Sequence, residues 1–460
     1  MTGPIHLVGV GGAGMSALAR LALLRGERVS GTDRDDSPVL RALAAFGGDV
    51  HAGHSADALP PDAAVVVVST AVPADNPEVV AARARGIPVR HRVELLARLM
   101  AGHRGLAVAG AHGKSTTSAM LAMALGDVSC CIGATVPGGE GTGARWGDGP
   151  WFVAEADESD RSLLRLRPEA AILLNVDHDH HATFASLAEV EEVFRSFVAL
   201  LPADGCLVVG PDPGARRVAA DAPCPVLRVG AEPDADVRIV AGPDGARLVA
   251  GGDDVALALA VPGRHNIENA ACAVALAWRC GTPLAEAAGA LSRFRGVGRR
   301  FEVRGEVGGV AVVDDYAHHP AEVAATLAAA REWVGAGRVI AIFQPHLVSR
   351  TRALGVELGR ALGAADRVVV TDVYVAREEA DPTVSGAAVA DAVPAPAAAR
   401  FVADLSAAGR VAVAESRPGD MIITMGAGDV TRLGQELVDA LGTRYRDGGD
   451  SDDPDPDRDP

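Results

Sequence analysis

Residues 108–117, Val-Ala-Gly-Ala-His-Gly-Lys-Ser-Thr-Thr, set a lysine and hydroxyl side chains directly behind a glycine-rich turn. An apolar run, Gly105 to Ala109, leads in, and an Ala/Met/Leu-rich segment leads out. Strand, glycine turn and helix in that order cradle a phosphate. Backbone N–H groups and the helix N-terminus face the anion, the lysine reaches its outer oxygens, and the hydroxyl is placed for Mg²⁺. The usual pattern has a glycine where Val108 stands, so the loop is a shortened one, running Gly110, Ala111, His112, Gly113, Lys114, Ser115, Thr116. On pattern alone, a glycine turn with a solvated lysine reads the same way. Composition weakens that alternative, because Lys114 is the only lysine in a chain that otherwise uses arginine.

Two further clusters carry chemistry. Glu155-Ala-Asp-Glu-Ser-Asp160 packs four acids into six residues behind the apolar run Trp151 to Ala154. Beside a nucleotide loop this suits Mg²⁺, which takes oxygen ligands and few of them; alone it would pass for a solvated turn. Asn175-Val-Asp-His-Asp-His-His181 follows the apolar run Ala170 to Val176. Its composition is that of a metal site, although zinc would want a fourth ligand, and loop histidines often only hydrogen-bond. Asn266 and Asn269, three apart before an Ala-rich helix, share one face and are placed to grip a ligand; capping the helix is the alternative for Asn266.

The elements that must position these groups read as α/β throughout. Ile5 to Val8 is a short buried strand, followed by Gly9-Val-Gly-Gly-Ala-Gly14, a helix from Met15, and Val29 to Asp33 as a second strand ending in an acid. That is the dinucleotide fingerprint, open at this point to NAD or to another diphosphate such as a UDP-sugar. Ala63 to Val68 ends at Ser69 and Thr70, polar groups at a carboxyl edge. Residues 207–260 alternate short apolar runs with Pro/Gly turns and predict a hairpin-rich insertion. Beyond Gly298, four strand candidates end in polar clusters: Asp314 to Pro320, Gln344 to Arg352, Asp372 to Glu378 and Gly426 to Asp429. Four such clusters at successive strand ends line one carboxyl edge.

Composition sets the outer bounds. The 460 residues are 48% hydrophobic but only 3% aromatic, so the cores must be built from Ala, Val and Leu. A net charge of -17 and the lack of a basic, aromatic-interleaved block argue against nucleic acid as a partner. No run approaches the ~18 apolar residues of a membrane span, and no leader-like stretch opens the chain, so a cytoplasmic protein is expected. Six cysteines without C-x-x-C spacing are expected to be reduced and buried. Seven Asp among residues 447–460, with three Pro, predict a disordered acidic tail. The expected division is 1–102, 103–297 and 298–446, followed by that tail.

Taken together, the motifs resemble those of the Mur ligases, and within them the alanine-adding branch. The most specific pieces are Glu155 to Asp160, Asp314-Asp-Tyr-Ala-His-His-Pro320, and Phe343-Gln-Pro-His346 with Ser349-Arg-Thr351. The resemblance implies an N-terminal Rossmann-like domain, a central P-loop ATPase-type domain and a C-terminal Rossmann-like domain. It assigns the first glycine loop to a UDP diphosphate, with Gly9, Gly11, Gly12, Gly14, Met15, Asp33, Ser69 and Thr70 as UDP-substrate contacts. It implies that ATP phosphorylates the lactyl carboxylate of UDP-N-acetylmuramate and that the amine of L-alanine attacks the acyl phosphate. Gly110 to Thr116, Asn266, Arg299, Asp315 and Tyr316 would hold ATP, and Ser115, Glu155 and His180 two Mg²⁺ ions. Lys114, His180, His319 and Arg350 would act at the reacting groups, and His346 with Arg350 would receive the amino acid. A monomer or homodimer acting on these small molecules is expected. A sibling ligase taking another amino acid or a muropeptide is the alternative, with an NAD(P) oxidoreductase and a non-enzymatic nucleotide sensor behind it. The chain departs from the family pattern at Ala111, at His181-Ala182 where Met-Asp is usual, and at Leu347 where arginine is usual.

Overall fold

The computed structural model describes residues 3–136, 143–180, 183–242, 245–376 and 378–447. His181, Ala182 and the acidic stretch from 448 onward lie outside the described residues. Three sheets carry the chain, and its contacts divide it into two compact units, with the break after Gly298.

The first unit contains two sheets. One is five-stranded and wholly parallel, in the order Asp49–Ala52, Val29–Asp33, Ile5–Val8, Val65–Val68, Val89–His91. Its central strand, Ile-His-Leu-Val, is buried throughout, as expected of a strand covered on both faces by helices. The other sheet has ten strands, and Arg104–Ala109 lies in its middle between Trp151–Glu155 and Ala170–Leu173. Parallel pairing in register aligns Val108 with Ile172 on one side and Glu155 on the other. Val108 is therefore a fully buried strand residue, and this is why no glycine stands there.

The expected hairpin insertion is partly wrong. Cys206–Val209 and Val226–Gly230 are parallel strands of the main sheet, joined by the helix Pro213–Ala219. The sequence signal was misread because Asp212-Pro213 looks like a turn. Here Asp212 caps the helix by accepting from Ala215 N at 2.7 Å, and Pro213 occupies the first turn, where a missing N–H costs nothing. Among the described residues of 207–260, only Val237–Gly242, Gly245–Ala250 and Asp253–Leu257 pair antiparallel. The Ala-rich helix, expected to start after Asn269, begins at Arg264, so Asn266 lies inside it and is not its cap.

The second unit holds a six-stranded sheet in the order Glu302–Val307, Val310–Asp315, Met421–Met425, Val339–Phe343, Arg367–Val370, Ala398–Phe401. All but the first strand pair parallel. All six cysteines are free thiols and five are buried, with burial pushing Cys131 and Cys272 up to about 12, so none is a ready nucleophile. Among the described residues, no helix is long and apolar enough to cross a membrane.

One buried ion pair closes the second unit at the start of two neighbouring strands. Asp420 accepts from Arg338 N at 3.0 Å, from its Nη2 at 2.6 Å and from Arg417 N at 2.9 Å. Burial alone would raise this carboxyl, but Arg338 and the backbone donors outweigh it and hold the pKa below the ordinary value. Asp420→Ala is expected to lower the unit's stability by ~2–3 kcal/mol, discounted for the partial exposure of Arg338. Because the folded pKa is depressed, the carboxylate's contribution is complete above about pH 4 and fades as pH falls below that. Urea titrations of wild type and variant at pH 7 and pH 3 check both points; identical midpoints at pH 7 contradict them.

Candidate active site

The shortened glycine loop is held from two neighbouring strand ends. Gly110 has φ +136°, and a Cβ there would lie 3.0 Å from Leu174 Cβ and 3.1 Å from Asn175 N. The Asn175 carboxamide clamps His112, two residues on, from both sides, accepting from its N at 2.8 Å and donating to its O at 3.0 Å. Gly113, φ +85°, begins the helix Lys114–Leu125, and a Cβ there would come within 2.8 Å of Asn269 Oδ1. Both glycines of the short loop thus answer to a left-handed backbone and to close neighbours.

Lys114 turns back over this loop. Its Nζ donates to Gly110 O at 2.7 Å and Ala111 O at 3.1 Å, and lies 2.9 Å from Glu158 Oε2. Burial would lower the lysine's pKa, but Glu158, Asp157 and Glu155 outweigh it and keep the ammonium above its ordinary value. One residue on, Ser115 Oγ donates to Glu155 at 3.0 Å and 3.1 Å, and Gly133 N donates to the same carboxylate at 2.7 Å. His180, at φ +55°, brings Nε2 to 3.5 Å from Glu158 Oε1. Burial opposes its protonation, yet Glu158 and Asp179 hold the imidazole above its ordinary pKa. Ligand atoms of Asp157, Glu158 and His180 all lie within 4.8 Å of one another. The hydroxyl and carboxylate at Ser115 and Glu155, together with this second group of acids and an imidazole, fit divalent cations that prefer oxygen.

Sequence reasoning named Glu155 but not Glu158, which is 1% exposed and touches both Lys114 and His180. The signal was present, since Glu158 belongs to the same acid run; only the fold shows that this acid faces the lysine. Asn269 was expected to grip a ligand beside Asn266, and Asn175 to open the Asp/His cluster, but the fold places both against the phosphate loop, at Gly113 and His112. Beside the loop lies a cavity of about 300 Å³, lined in part by Asn175, Asp212, His265, Glu268 and Asn269. Asn266, one turn away on the same helix, is buried.

The five-stranded sheet presents its own glycine loop. Gly9 N and Val10 N donate to Thr32 O at 2.8 Å and 2.9 Å, and Gly11 N donates to Asp33 Oδ2 at 2.8 Å. A Cβ on Gly11 would sit 2.9 Å from that oxygen. Asp33 therefore braces the loop. Gly12 caps the helix Ala13–Leu24, Gly14 lies against Arg92, Met15 is buried, and Ser69 and Thr70 follow the strand Val65–Val68.

In the second unit, the Asp315 carboxylate turns inward and accepts from Phe301 N, Ala317 N and Thr326 Oγ1 at 2.7, 2.8 and 3.1 Å. Burial pushes it up to about 6 against the nearby Arg300 and these donors. The Tyr316 ring lies 4.7 Å from the Arg299 guanidinium carbon and edge-on to His318. Arg299 itself donates to Gly426 O at 2.7 Å. His319 begins the helix Pro320–Val334 and is buried, while its neighbour His318 lies 6.2 Å from His346, ring to ring. His346 stacks on Tyr374 at 5.8 Å and contacts Arg350 Nη1 at 3.3 Å. Neither His318 nor Tyr374 was singled out from the sequence, because their relevance comes from ring contacts between separate strand ends. Leu347 holds φ +71°, a strained value for a branched residue, with its N–H donating to Tyr374 O at 2.9 Å.

The Gly113 contact gives a direct test. Gly113→Ala must strain its φ and displace Asn269, at ~1–3 kcal/mol, so calorimetric affinity for ADP is expected to fall about tenfold and the melting temperature by a few degrees. Undiminished affinity would show that the loop does not hold the nucleotide.

Comparison with known proteins places the whole arrangement. Residues 4–104 match the model described as Mur ligase family, catalytic domain; residues 150–277 match the Mur ligase middle domain; residues 299–428 match the Mur ligase, glutamate ligase domain. The UDP-N-acetylmuramate--L-alanine ligase of Kineococcus radiotolerans is 50% identical over 457 residues, covering 96% of this chain and 97% of its own. The enzyme of the same name from Streptomyces coelicolor is 45% identical, covering 95% and 97%. Among solved structures, the UDP-N-acetylmuramate-alanine ligase of Thermotoga maritima superposes with a TM-score of 0.80 at 28% identity, covering 97% of this chain and 99% of that one. A murein peptide ligase from Psychrobacter arcticus gives 0.74 at 25%, covering 96% and 99%. With a family model on each of its three sheets and such relatives along nearly its full length, this chain belongs to the Mur ligase family.

Proposed function

We propose that the protein joins L-alanine to the lactyl carboxylate of UDP-N-acetylmuramate at the expense of ATP, through an acyl phosphate, in peptidoglycan precursor synthesis in the cytoplasm. The observation that carries this reading is the single lysine of the chain, charged and held between a shortened phosphate loop and a run of acids. A carboxylate resists attack by an amine because oxide is a poor leaving group. Transfer of the γ-phosphoryl group to a carboxylate oxygen, with loss of ADP, replaces oxide by phosphate. The alanine nitrogen then attacks the carbonyl carbon, the carbon–oxygen bond to phosphate breaks, and the ammonium proton is lost. Such chemistry asks mainly for positioning and neutralisation of charge.

In this reading Lys114 neutralises the γ-phosphoryl oxygens, while the N–H groups of Gly110 to Thr116 cradle the remaining phosphates. The cavity lined by Asn175, His265 and Asn269 receives the base, with Asn266 on the same helix; Arg299, Asp315 and Tyr316 belong to the nucleotide-holding set of the second unit. Ser115 and Glu155 would hold one Mg²⁺, and His180 with Glu158 and Asp157 a second. Bound there, Mg²⁺ supplies positive charge to the transferring phosphoryl group. The loop Gly9 to Gly14 takes the UDP diphosphate at a helix N-terminus. His319, His346 and Arg350 serve the reacting carboxylate and the amino acid, with Arg350 pairing the alanine carboxylate. Residues 1–102, 103–297 and 298–446 are the corresponding domains.

The test is phosphate release with UDP-N-acetylmuramate, ATP and Mg²⁺, scanned over amino acids. L-alanine is expected to give the largest stimulation; a different amino acid or a peptide doing so would make this a sibling ligase. Lys114→Ala is expected to lower turnover by about 10²–10³-fold or more and to leave calorimetric affinity for UDP-N-acetylmuramate within about twofold, because the two loops belong to different sheets. Parallel loss of both would contradict the assignment.

A further inference from the structure

Beneath the N-terminal glycine loop lies a buried polar cluster that the proposed chemistry leaves unused. Glu78, on the first turn of the helix Pro77–Ala84, is fully buried, as is His6 on the central strand. Glu78 Oε2 lies 2.8 Å from His6 Nε2 and accepts from Thr32 Oγ1 at 2.7 Å. Its other oxygen lies 3.0 Å from His54 Nδ1, and that nitrogen is also 2.8 Å from Thr32 Oγ1. On the far side of His6, Nδ1 meets Ser30 Oγ at 2.9 Å. Five side chains from two strands, a loop and a helix thus form one network, in which His6, Thr32 and His54 bond directly to the Glu78 carboxylate and Ser30 joins through His6.

At the carboxylate itself, the donors and acceptors have one consistent assignment. Burial would raise the Glu78 carboxyl, but the hydrogen bonds from His6, Thr32 and His54 outweigh it and hold it below its ordinary value, so it is an anion that only accepts. The Thr32 hydroxyl then donates to Glu78 and has a lone pair left. His54 must carry its proton on Nδ1, shared between Glu78 and Thr32, and His6 must carry one on Nε2, while the Ser30 hydroxyl beside its Nδ1 also donates to Ile5 O at 3.4 Å. The Nε2 proton of His6, the Nδ1 proton of His54 and the Thr32 hydroxyl rotor are therefore set by a single buried charge.

Thr32 is also where the loop is attached. Its carbonyl receives Gly9 N and Val10 N, and the next residue, Asp33, receives Gly11 N. The side chain of Thr32 is fixed by Glu78 and His54 while its carbonyl fixes the loop. His54 is partly exposed, with 25% of its side chain accessible.

We propose that Glu78 is a positioning residue for the UDP-sugar subsite: through Thr32 it sets the register of the Gly9–Gly14 loop, and through the imposed tautomer it fixes the orientation of His54. This rests on the assignment of that loop to the UDP diphosphate. It predicts that damage to the cluster weakens UDP-substrate binding selectively, without touching the ATP site on the other sheet.

The experiment compares wild type with Glu78→Gln, Thr32→Val and Thr32→Ser, all in the full chain. Calorimetry with UDP-N-acetylmuramate is expected to show about tenfold weaker binding for Glu78→Gln and Thr32→Val, with near-wild-type affinity restored in Thr32→Ser, which keeps the hydroxyl. The KM for ATP is expected to stay within about twofold in all three, as sites without shared partners behave independently. Nitrogen-15 spectra of the histidine rings should show an Nδ1-protonated His54 in wild type and its loss in Glu78→Gln. Unchanged UDP-substrate affinity in Glu78→Gln, equal loss in Thr32→Ser and Thr32→Val, or parallel loss of UDP-substrate and ATP affinities would overturn the inference. Wild-type protein that fails to bind UDP-N-acetylmuramate would instead overturn the assignment of the loop.

Discussion

The short glycine loop depends on one constraint: a lysine with only 12% of its side chain exposed must remain charged. Lys114 meets it with two backbone carbonyls and the Glu158 carboxylate, which replace the hydration an ammonium loses on burial. Those partners, and the amide that clamps their loop, come from three parts of one sheet edge. The carbonyls belong to the loop after Arg104–Ala109, the carboxylate to the segment after Trp151–Glu155, and the clamp Asn175 to the segment after Ala170–Leu173. Parallel pairing brings these ends together, because helices leave and strands return on the same side. The central placement of Arg104–Ala109 is therefore what makes the site possible.

The same edge logic explains how much was legible in the sequence. Lys114, Ser115 and Glu155 announce themselves by local spacing, and the strands carrying them are short apolar runs of unambiguous character. Glu158 and Asn175 do not, since nothing local says which of four acids turns toward the lysine or which amide reaches across to His112. His318 shows the same limit: two adjacent histidines precede Pro320, and the fold directs one ring toward His346 while the other starts a helix. The misread stretch around Pro213 failed for a different reason. Aspartate before proline signals a turn or a helix start equally well, and only the parallel return to Val226–Gly230 decides between them.

The N-terminal loop shows how a fingerprint can be right in form and open in meaning. Its glycines and Asp33 match the dinucleotide pattern, yet Asp33 Oδ2 is engaged with Gly11 N, where a dinucleotide site would present the acid to a ribose hydroxyl. The acid braces the loop, and the carboxylate beneath it, Glu78, braces the strand that bears the acid. Departures from the family pattern fall elsewhere. Leu347, in place of a usual arginine, adopts a left-handed backbone tied to Tyr374, so its local role is fixed by main-chain geometry as much as by side-chain charge.

The central claim is that this edge activates a carboxylate by transferring a phosphoryl group to it. The direct measurement uses UDP-N-acetylmuramate labelled with oxygen-18 in the lactyl carboxylate, turned over with ATP and L-alanine, followed by mass analysis of the released phosphate. One labelled oxygen per phosphate is the predicted result, because the new oxygen–phosphorus bond survives while the carbon–oxygen bond breaks when the amide forms. Unlabelled phosphate alongside full amide formation would contradict the account.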